Sequence, residues 1–250
     1  MAHEESDVFF VSRVGNDAAG RAVISELDAW DIEHKEIEQS HGKTGVVVVI
    51  VDKTGQRTMF PDSGANSGLG LADLPDLSGF DAAFLSGYSL FNHASTSGVE
   101  EMIAAIKSAG IPLIFDPASV GTISHFGLDR ALNYLNLMDV ILPNEEEALY
   151  LTQTQSIEDA LADLLNHCET VVIKCGDRGA FGSTRTSKPT FAHTTRLIPI
   201  DTTGAGDAFA AGFIPAWITS HDISQSMAAG NALARQCVTI IGARPSVNPK

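Results

Sequence analysis

The stretch Asp201-Thr-Thr-Gly-Ala-Gly-Asp-Ala-Phe-Ala-Ala-Gly-Phe213 decides how the rest of this 250-residue chain is understood. An apolar run at 197–200 precedes it and predicts the last part of a strand. Gly204 and Gly206 allow a tight turn, and the small and apolar residues after it predict a closely packed helix. A glycine turn that opens a helix presents unpaired N–H groups to a phosphate. The Asp at this place, Asp207, makes sense if its carboxylate takes a proton from a group that attacks the phosphate.

The same stretch resembles the C-terminal signature of the PfkB/ribokinase family of carbohydrate kinases. The resemblance implies that Asp207 is the catalytic base and that the amides of Gly204, Ala205 and Gly206 form an anion hole. From the residues alone, the alternative is a strand-to-helix turn whose Asp only caps the helix. The resemblance extends over nearly everything from 8 to 249. It implies an α/β, ribokinase-like fold with a mostly parallel central sheet flanked by helices and a small β lid.

The front of the chain departs from that family. Val14-Gly-Asn-Asp-Ala-Ala-Gly20 resembles the family's Val-Gly-x-Asp-x-x-Gly segment. In the family, a first strand, a sugar-binding Asp and a Gly-Gly-x-x-x-Asn helix start come before this segment, and this sequence shows none of them. Those parts normally supply one central strand, part of the lid and much of the sugar contact surface. We therefore expect either a fragment or a reduced variant with an altered substrate site.

The charge and the cysteine content of the chain limit the kinds of partner that it can bind and the compartment in which it is expected. The formal net charge is -15, with 31 acidic against 16 basic side chains, which argues against sequence-independent binding to nucleic acid or to an anionic membrane. A local nest of amides can still bind a phosphorylated ligand. Cys168, Cys175 and Cys237 show no metal or redox spacing, which indicates reduced thiols and a cytoplasmic protein. The longest apolar run, 46–51, is far too short to span a bilayer.

Two apolar segments, 44–51 and 56–60, predict a hairpin with its turn at 52–55. The resemblance implies that a lid at about 31–61 covers the sugar and makes a homodimer contact. The alternative is an edge hairpin of the main sheet. Beyond the hairpin, strands and helices alternate, which predicts parallel βαβ units in a single domain, 1–250. The predicted strands are 8–11, which is expected to be buried, 81–86, 111–115, 140–142 and 170–174, with 181–182 and 190–192 as short antiparallel edge strands. The predicted helices are 18–30, 97–109, 128–135, 157–165 and 227–241, and the helix at 97–109 carries Val99, Met102, Ile103 and Ile106 on one face.

The segment Pro143-Asn-Glu-Glu-Glu147 follows a predicted buried strand. Asn144 and Glu147 are three residues apart, so both can face one point from a first helical turn. The spacing resembles the family's Asn-x-x-Glu motif, which implies binding of Mg²⁺-bound water and phosphate oxygens. The alternative is that the same residues form a helix N-cap followed by acidic side chains that favour the helix dipole.

The segment Lys174-Cys-Gly-Asp-Arg-Gly179 resembles the family's nucleotide-binding turn. Gly176 and Gly179 would let the backbone pass close to ATP, and Lys174 would add positive charge near its phosphates. An ordinary glycine turn is the alternative. Asn231 matches an adenine-contact position.

The segment Gly242-Ala-Arg-Pro-Ser246 resembles the family's closing Gly-Ala-x-x-Ser. By position, the resemblance implies that Asp201, Thr203, Gly242 and Ser246 bind a monovalent cation such as K⁺. An ordinary helix C-cap at Gly242 is the alternative.

Asp116 stands where several family branches have Asp-x-Asn-x-Arg, but this chain lacks both the Asn and the Arg, which argues against the fructokinase and 2-keto-3-deoxygluconate kinase branches. Asp116 is still expected near a phosphate or a metal-bound water.

Together these motifs predict ATP-dependent phosphorylation of a sugar or a sugar-like alcohol. One rival is a catalytically impaired nucleotide-binding homologue. The other is a dinucleotide-binding oxidoreductase, hinted at by 67–70 and 204–206, neither of which has the full three-glycine fingerprint.

Overall fold

A computed structural model of the chain describes residues 6–34, 42–51 and 57–242. Strands and helices alternate through most of this length. The strands are β1 (Phe9–Phe10), β2 (Glu33–His34), β3 (Thr44–Val51), β4 (Arg57–Gly64), β5 (Ala83–Ser86), β6 (Leu113–Asp116), β7 (Val140–Ile141), β8 (Thr170–Lys174), β9 (Gly179–Thr184) and β10 (Thr190–His193). The helices are α1 (Ala18–Ala29), α2 (Gly87–Leu90), α3 (Thr96–Ser108), α4 (Val120–Phe126), α5 (Leu128–Leu135), α6 (Glu145–Thr152), α7 (Ile157–Leu164), α8 (Ala205–Ser220) and α9 (Ile223–Cys237).

The central sheet has six strands in the order β10-β9-β8-β7-β6-β5. Strands β5 to β8 run parallel, whereas β9 and β10 pair antiparallel to their neighbours. This arrangement confirms the predicted mostly parallel sheet and the antiparallel strands at its edge. The predicted strand 81–86 begins two residues later, at Ala83.

Helices cover both faces of this sheet, as parallel strands require. On one face, α3 buries the apolar positions Val99, Met102, Ile103 and Ile106 that its spacing predicted. On the other face, Phe209 and Phe213 of α8 and Met227 of α9 pack against β6, β7 and β8. Helix α9 begins and ends four residues before the predicted 227–241 segment.

Helices α8 and α9 approach each other closely at two glycines. A Cβ on Gly212 of α8 would lie 2.6 Å from the carbonyl oxygen of Ala229. A Cβ on Gly230 of α9 would lie 2.8 Å from the ring of Phe209. No larger side chain fits at either position without moving backbone or a buried ring, so glycine is required there.

The first strand is not the buried element that its sequence predicted. Within the part of the chain that the structure describes, β1 pairs in parallel with β2 alone, in a two-stranded sheet separate from the central one. Phe10 is 42% exposed, while Phe9 packs edge-on against Phe80 with ring centres 6.1 Å apart.

The predicted hairpin forms from β3 and β4, which pair with each other and with no other strand among the described residues. It is therefore not an edge hairpin of the main sheet. Its predicted turn, 52–55, lies outside the described residues, as does 35–41 of the proposed lid. Asp17, the N-cap of α1, ties the hairpin to the body by accepting hydrogen bonds from the amide and the hydroxyl of Thr44, at 2.8 and 2.6 Å.

The predicted strand at 197–200 is absent. This segment has no strand partner among the described residues, and Pro199 has no N–H to donate. The amide of Ile200 bonds instead to the carbonyl of Val238 at the end of α9. Ile198 and Ile200 are consequently exposed. Within the described residues, no helix has the length and apolar character needed to cross a membrane.

Candidate active site

A cleft of about 610 Å³ opens at the carboxyl ends of the parallel strands. Ligands of open α/β sheets bind at this edge. The residues predicted from separate motifs meet there. Each motif lies either directly after a strand or at the start of a helix that packs against the sheet. Its lining includes Asp116, Asn144, Glu147, Lys174, Gly176, Gly179, Gly204, Ala205, Gly206, Asp207 and Asn231.

The glycine turn before α8 forms one wall of the cleft. Gly204 has a left-handed backbone, φ 80°, and the helix begins at Ala205 rather than at Asp207. The N-cap is Gly204, so Asp207 is not the N-cap of α8. Asp207 is an acid in the first helical turn, which the helix dipole also favours, so its role as a base stays a prediction. The carboxyl of Asp207 lies in the first turn of α8 and lines the cleft.

Desolvation at the cleft wall raises the pKa of Asp207 from its ordinary value, and the negative charge of Asp116 raises it further. The positive charge of Lys174 acts in the opposite direction. A carboxylate whose proton affinity is raised in this way is a better proton acceptor than an exposed one.

Asn144 and Glu147 form a reciprocal cap at the start of α6. The amide of Glu147 donates to Asn144 Oδ1 at 2.9 Å, and the amide of Asn144 donates to Glu147 Oε2 at 2.8 Å. Glu147 is 2% exposed, and burial raises its pKa to about 7 although Lys174 and the Asn144 amide lower it. The capping alternative is therefore present in the structure. Both side chains also line the cleft, so binding of Mg²⁺ through water stays a prediction.

An ion pair that the motifs did not predict lies between these two walls. The ammonium of Lys174, at the end of β8, donates to Asp116 Oδ2, at the end of β6. The two residues are 58 positions apart, and only the strand order brings them together. The one available sequence signal was that both stand at the carboxyl end of a predicted parallel strand.

The predicted nucleotide turn contains two glycines with different roles. Gly176 has φ 59° and open space where a Cβ would be, which leaves room for a ligand. Gly179 has φ 110°, and a Cβ there would lie 2.1 Å from the carbonyl oxygen of Ala192. Packing of β9 against β10 therefore explains Gly179 without any ligand. Arg178 pairs with Glu145 at the first turn of α6.

Asn231 lies on α9 at the far end of the cleft. It is 8% exposed, and its side-chain amide donates to the carbonyl of Ala192 at 2.7 Å. This bond holds α9 against β10 and fixes the orientation of the Asn231 side chain toward the cleft.

Three of the four residues predicted to bind a monovalent cation meet beside the glycine turn. Asp201 Oδ1 accepts from the amide and the hydroxyl of Thr203 at 2.9 and 2.7 Å, and Asp201 Oδ2 accepts from the amide of Gly242 at 3.1 Å. Helix α9 ends at Cys237 with Val238 as its cap, so the alternative of Gly242 as the C-cap of this helix is wrong. Ser246 lies outside the described residues.

The arrangement brings together the carboxyl of Asp207, a helix N-terminus, a lysine and the buried carboxyl groups of Asp116 and Glu147 around one cleft. A base beside a group of phosphate-binding amides is suited to activating a hydroxyl for attack on a phosphoryl group.

Comparison with known proteins agrees with this chemistry. The family model described as pfkB family carbohydrate kinase matches residues 2–250. A ribokinase of Haemophilus influenzae is 29% identical over 249 residues, covering 96% of this chain and 78% of its own length. The fructokinase of Vibrio cholerae O395, solved with fructose, ADP and calcium, superposes with a TM-score of 0.80 at 27% identity, covering 98% of this chain and 84% of its own.

A putative ribokinase II from E. coli, solved with ATP and Mg²⁺, shares the fold with a TM-score of 0.83 at 24% identity, covering 97% of this chain and 80% of its own. A family match over this length argues against the alternative of a dinucleotide-binding oxidoreductase. The chain belongs to the pfkB family of carbohydrate kinases, phosphotransferases with an alcohol group as acceptor.

Proposed function

We propose that this chain transfers the γ-phosphoryl group of ATP to a hydroxyl of a sugar or a sugar-like alcohol, with Asp207 as the general base. One observation carries the proposal: the Asp207 carboxyl lies in the first turn of α8 and lines the cleft, directly after the turn formed by Gly204, Ala205 and Gly206. The base and the anion-binding amides therefore approach the cleft from the same point.

In this mechanism the Asp207 carboxylate accepts the proton of the acceptor hydroxyl as its oxygen attacks the γ-phosphorus. The amides of Gly204, Ala205 and Gly206, at the positive end of the α8 dipole, stabilise the charge that develops on the transferred group. The proton stays on Asp207 until the phosphorylated product leaves.

The nucleotide would lie along the rest of the cleft. Gly176 and Gly179 would flank its ribose and phosphates, Lys174 would face the phosphates, and Asn231 would lie near the base. The side chains of Asn144 and Glu147 present hard oxygen donors to the cleft, which suits Mg²⁺ with most of its waters retained. Bound there, Mg²⁺ would neutralise phosphate charge.

Replacing the base tests the proposal. Asp207→Asn should lower turnover by about 10²- to 10⁴-fold with little change in nucleotide affinity, because the amide cannot accept the proton. Asp129→Asn is the matched control, since Asp129 is also an acid in a first helical turn but lies outside the cleft. Consumption of ATP is measured over a panel of sugars. Near-normal turnover in Asp207→Asn would refute the assignment, and ATP binding without turnover of any sugar would favour the impaired homologue.

We also propose a K⁺ site at Asp201, Thr203 and Gly242, where the Asp201 carboxylate and the Thr203 hydroxyl supply oxygen atoms beside the glycine turn and the Gly242 amide donates to Asp201. Activity should rise when K⁺ replaces a bulky organic cation, and Asp201→Asn should remove that rise because it removes the carboxylate charge. Equal activity in both salts for the unmodified chain would contradict the site.

The hairpin of β3 and β4 supports a homodimer proposal. Val46, Val48, Ile50 and Phe60 share one face of this two-stranded ribbon by their register and are 54–56% exposed. A contiguous apolar face of this kind marks an interaction surface. We propose that the hairpin covers the sugar and that its apolar face contacts a second copy of the chain. A cytoplasmic location fits the three unpaired cysteines and stays a prediction.

A further inference from the structure

We infer that Asp116 and Lys174 form an exchangeable ion pair. Asp116 holds the Lys174 ammonium at the point of phosphoryl transfer while the cleft is empty, and the ammonium passes to the γ-phosphate when ATP binds. In this scheme Lys174 is the residue that touches the nucleotide, and Asp116 is a positioning residue that acts through it. The inference rests on the proposed kinase function and assigns the part of the nucleotide that Lys174 contacts.

The geometry places the ammonium beside the turn that opens α8. A Cβ on Gly206 would lie only 3.3 Å from Lys174 Nζ, so the ammonium sits against the middle of the proposed anion hole. The α- and β-phosphates belong further along the cleft, toward Gly176, if the transferred group is to reach Asp207. The Lys174 ammonium, which lies beside Gly206, is therefore positioned to contact the γ-phosphate.

Asp116 explains why the ammonium stays there without a ligand. The side chains of Lys174 and Asp116 are 13% and 12% exposed, so each would be poorly hydrated alone. Asp116 Oδ1 is fixed by the amide of Ala118 at 3.0 Å, which leaves Oδ2 directed at the ammonium. A pair that is shielded from water but not sealed from the cleft can exchange one anionic partner for another.

The charges around the cleft favour that exchange. Among the described lining residues, Asp116, Glu147, Asp177 and Asp207 carry carboxyl groups, whereas the cations are Lys174 and Arg235. Arg235 lies on α9 with Asn231, and Asp177 is paired with Arg196. Lys174 is thus the cation that this part of the chain offers at the transfer point. A triphosphate with several negative oxygens competes well against one carboxylate for it.

Nucleotide binding tests the contact directly. In Lys174→Met, affinity for a non-hydrolysable MgATP analogue should fall by about 10- to 100-fold, the effect of losing a hydrogen bond between charged groups. Affinity for MgADP should change by less than about 3-fold, because ADP lacks the γ-phosphate. Lys174→Arg should retain more of the analogue affinity than Lys174→Met. Calorimetric titration of each variant gives these numbers without any need for turnover.

A double-mutant cycle tests the role of Asp116. Asp116→Asn should lower kcat while leaving MgADP affinity unchanged, because the ammonium loses its anchor. Combined with Lys174→Met, the same substitution should cost nothing further, and removing an unpaired carboxylate should make the double variant at least as active as Lys174→Met alone. Thermal unfolding of all variants checks that they fold.

Two results would overturn the inference. One is equal loss of MgADP and MgATP-analogue affinity in Lys174→Met, and the other is a further fall in kcat when Asp116→Asn is added to it. Both are distinguishable from failure of the proposed function, since an inactive Asp207→Asn variant with either result leaves the kinase mechanism standing and removes only the ion-pair exchange.

Discussion

Strand β6 and strand β3 have similar apolar sequences and opposite environments. Leu113, Ile114 and Phe115 of β6 are fully buried between two layers of helices, whereas Val47 and Val48 of β3 are 54% and 55% exposed. The difference lies in their neighbours, since β6 has a strand on each side and β3 pairs with β4 alone among the described residues. The central sheet, whose strand ends form the phosphate side of the proposed site, is covered by helices of its own chain, whereas the apolar face of the hairpin is the surface that we propose a substrate or a second copy covers.

Removing an aromatic ring from each region should give the largest contrast. Phe115→Ala should lower the free energy of unfolding by about 3–5 kcal/mol, because its fully buried ring packs edge-on against Phe91. Phe60→Ala, in the hairpin, should cost less than about 1 kcal/mol. Urea unfolding of both variants measures the difference. An equal loss of unfolding free energy in the two variants would show that Phe60 is packed in solution and would contradict the difference between the two regions.

The buried carboxyl of Glu147 should make the phosphate side sensitive to pH. Its pKa is raised to about 7 in the metal-free folded chain, so the folded state holds a proton that the unfolded state releases above its ordinary value of 4.5. Stability contributed by this group is therefore fully present below pH 4.5 and is lost as pH rises to about 7, by about 3 kcal/mol in total.

Glu147→Gln should remove this dependence while keeping the cap, since Gln also serves at this position. Unfolding free energies of the two proteins, measured without Mg²⁺, should be similar near pH 5 and should diverge in favour of Gln above pH 7. Parallel curves over this range would mean that Glu147 is ionised in the folded chain at low pH.

The smallest effect on stability is expected in the hairpin, where the effect on association should be larger. Val48→Thr should change the unfolding free energy by no more than about 0.5 kcal/mol, because the side chain is exposed and threonine also favours strands. If the apolar face contacts a second copy, the same change should weaken self-association in sedimentation experiments. A monomeric unmodified chain would contradict the dimer proposal.

The alternation of apolar segments predicted the central sheet, and the family resemblance of separate motifs predicted most of the residues that line the cleft. Strand 170–174 has the predicted bounds, and the apolar face of α3 follows its helical spacing. The errors come from partners that the sequence does not show. Among the described residues, the apolar segment 197–200 has no neighbouring strand, and β1 pairs with β2 alone.

Within the site, the sequence placed each motif but not the contacts between motifs. Asn144 and Glu147 were predicted either to cap a helix or to bind Mg²⁺-bound water and phosphate oxygens. They form the cap and also line the cleft, and the binding of Mg²⁺-bound water stays a prediction. The pair of Asp116 and Lys174 depends on two strands with β7 between them, which no local pattern encodes.

The close crossing of α8 and α9 at Gly212 and Gly230 limits how this kinase can move. Asp207 lies on α8 and Asn231 on α9, so the two residues that we propose as proton acceptor and nucleoside contact are held by one close helix crossing. Adjusting the distance between them would require backbone atoms already in contact to separate. In the proposed mechanism, closure around the two substrates would therefore be made by the other side of the cleft, and the relative position of nucleotide and base would be set before either substrate binds.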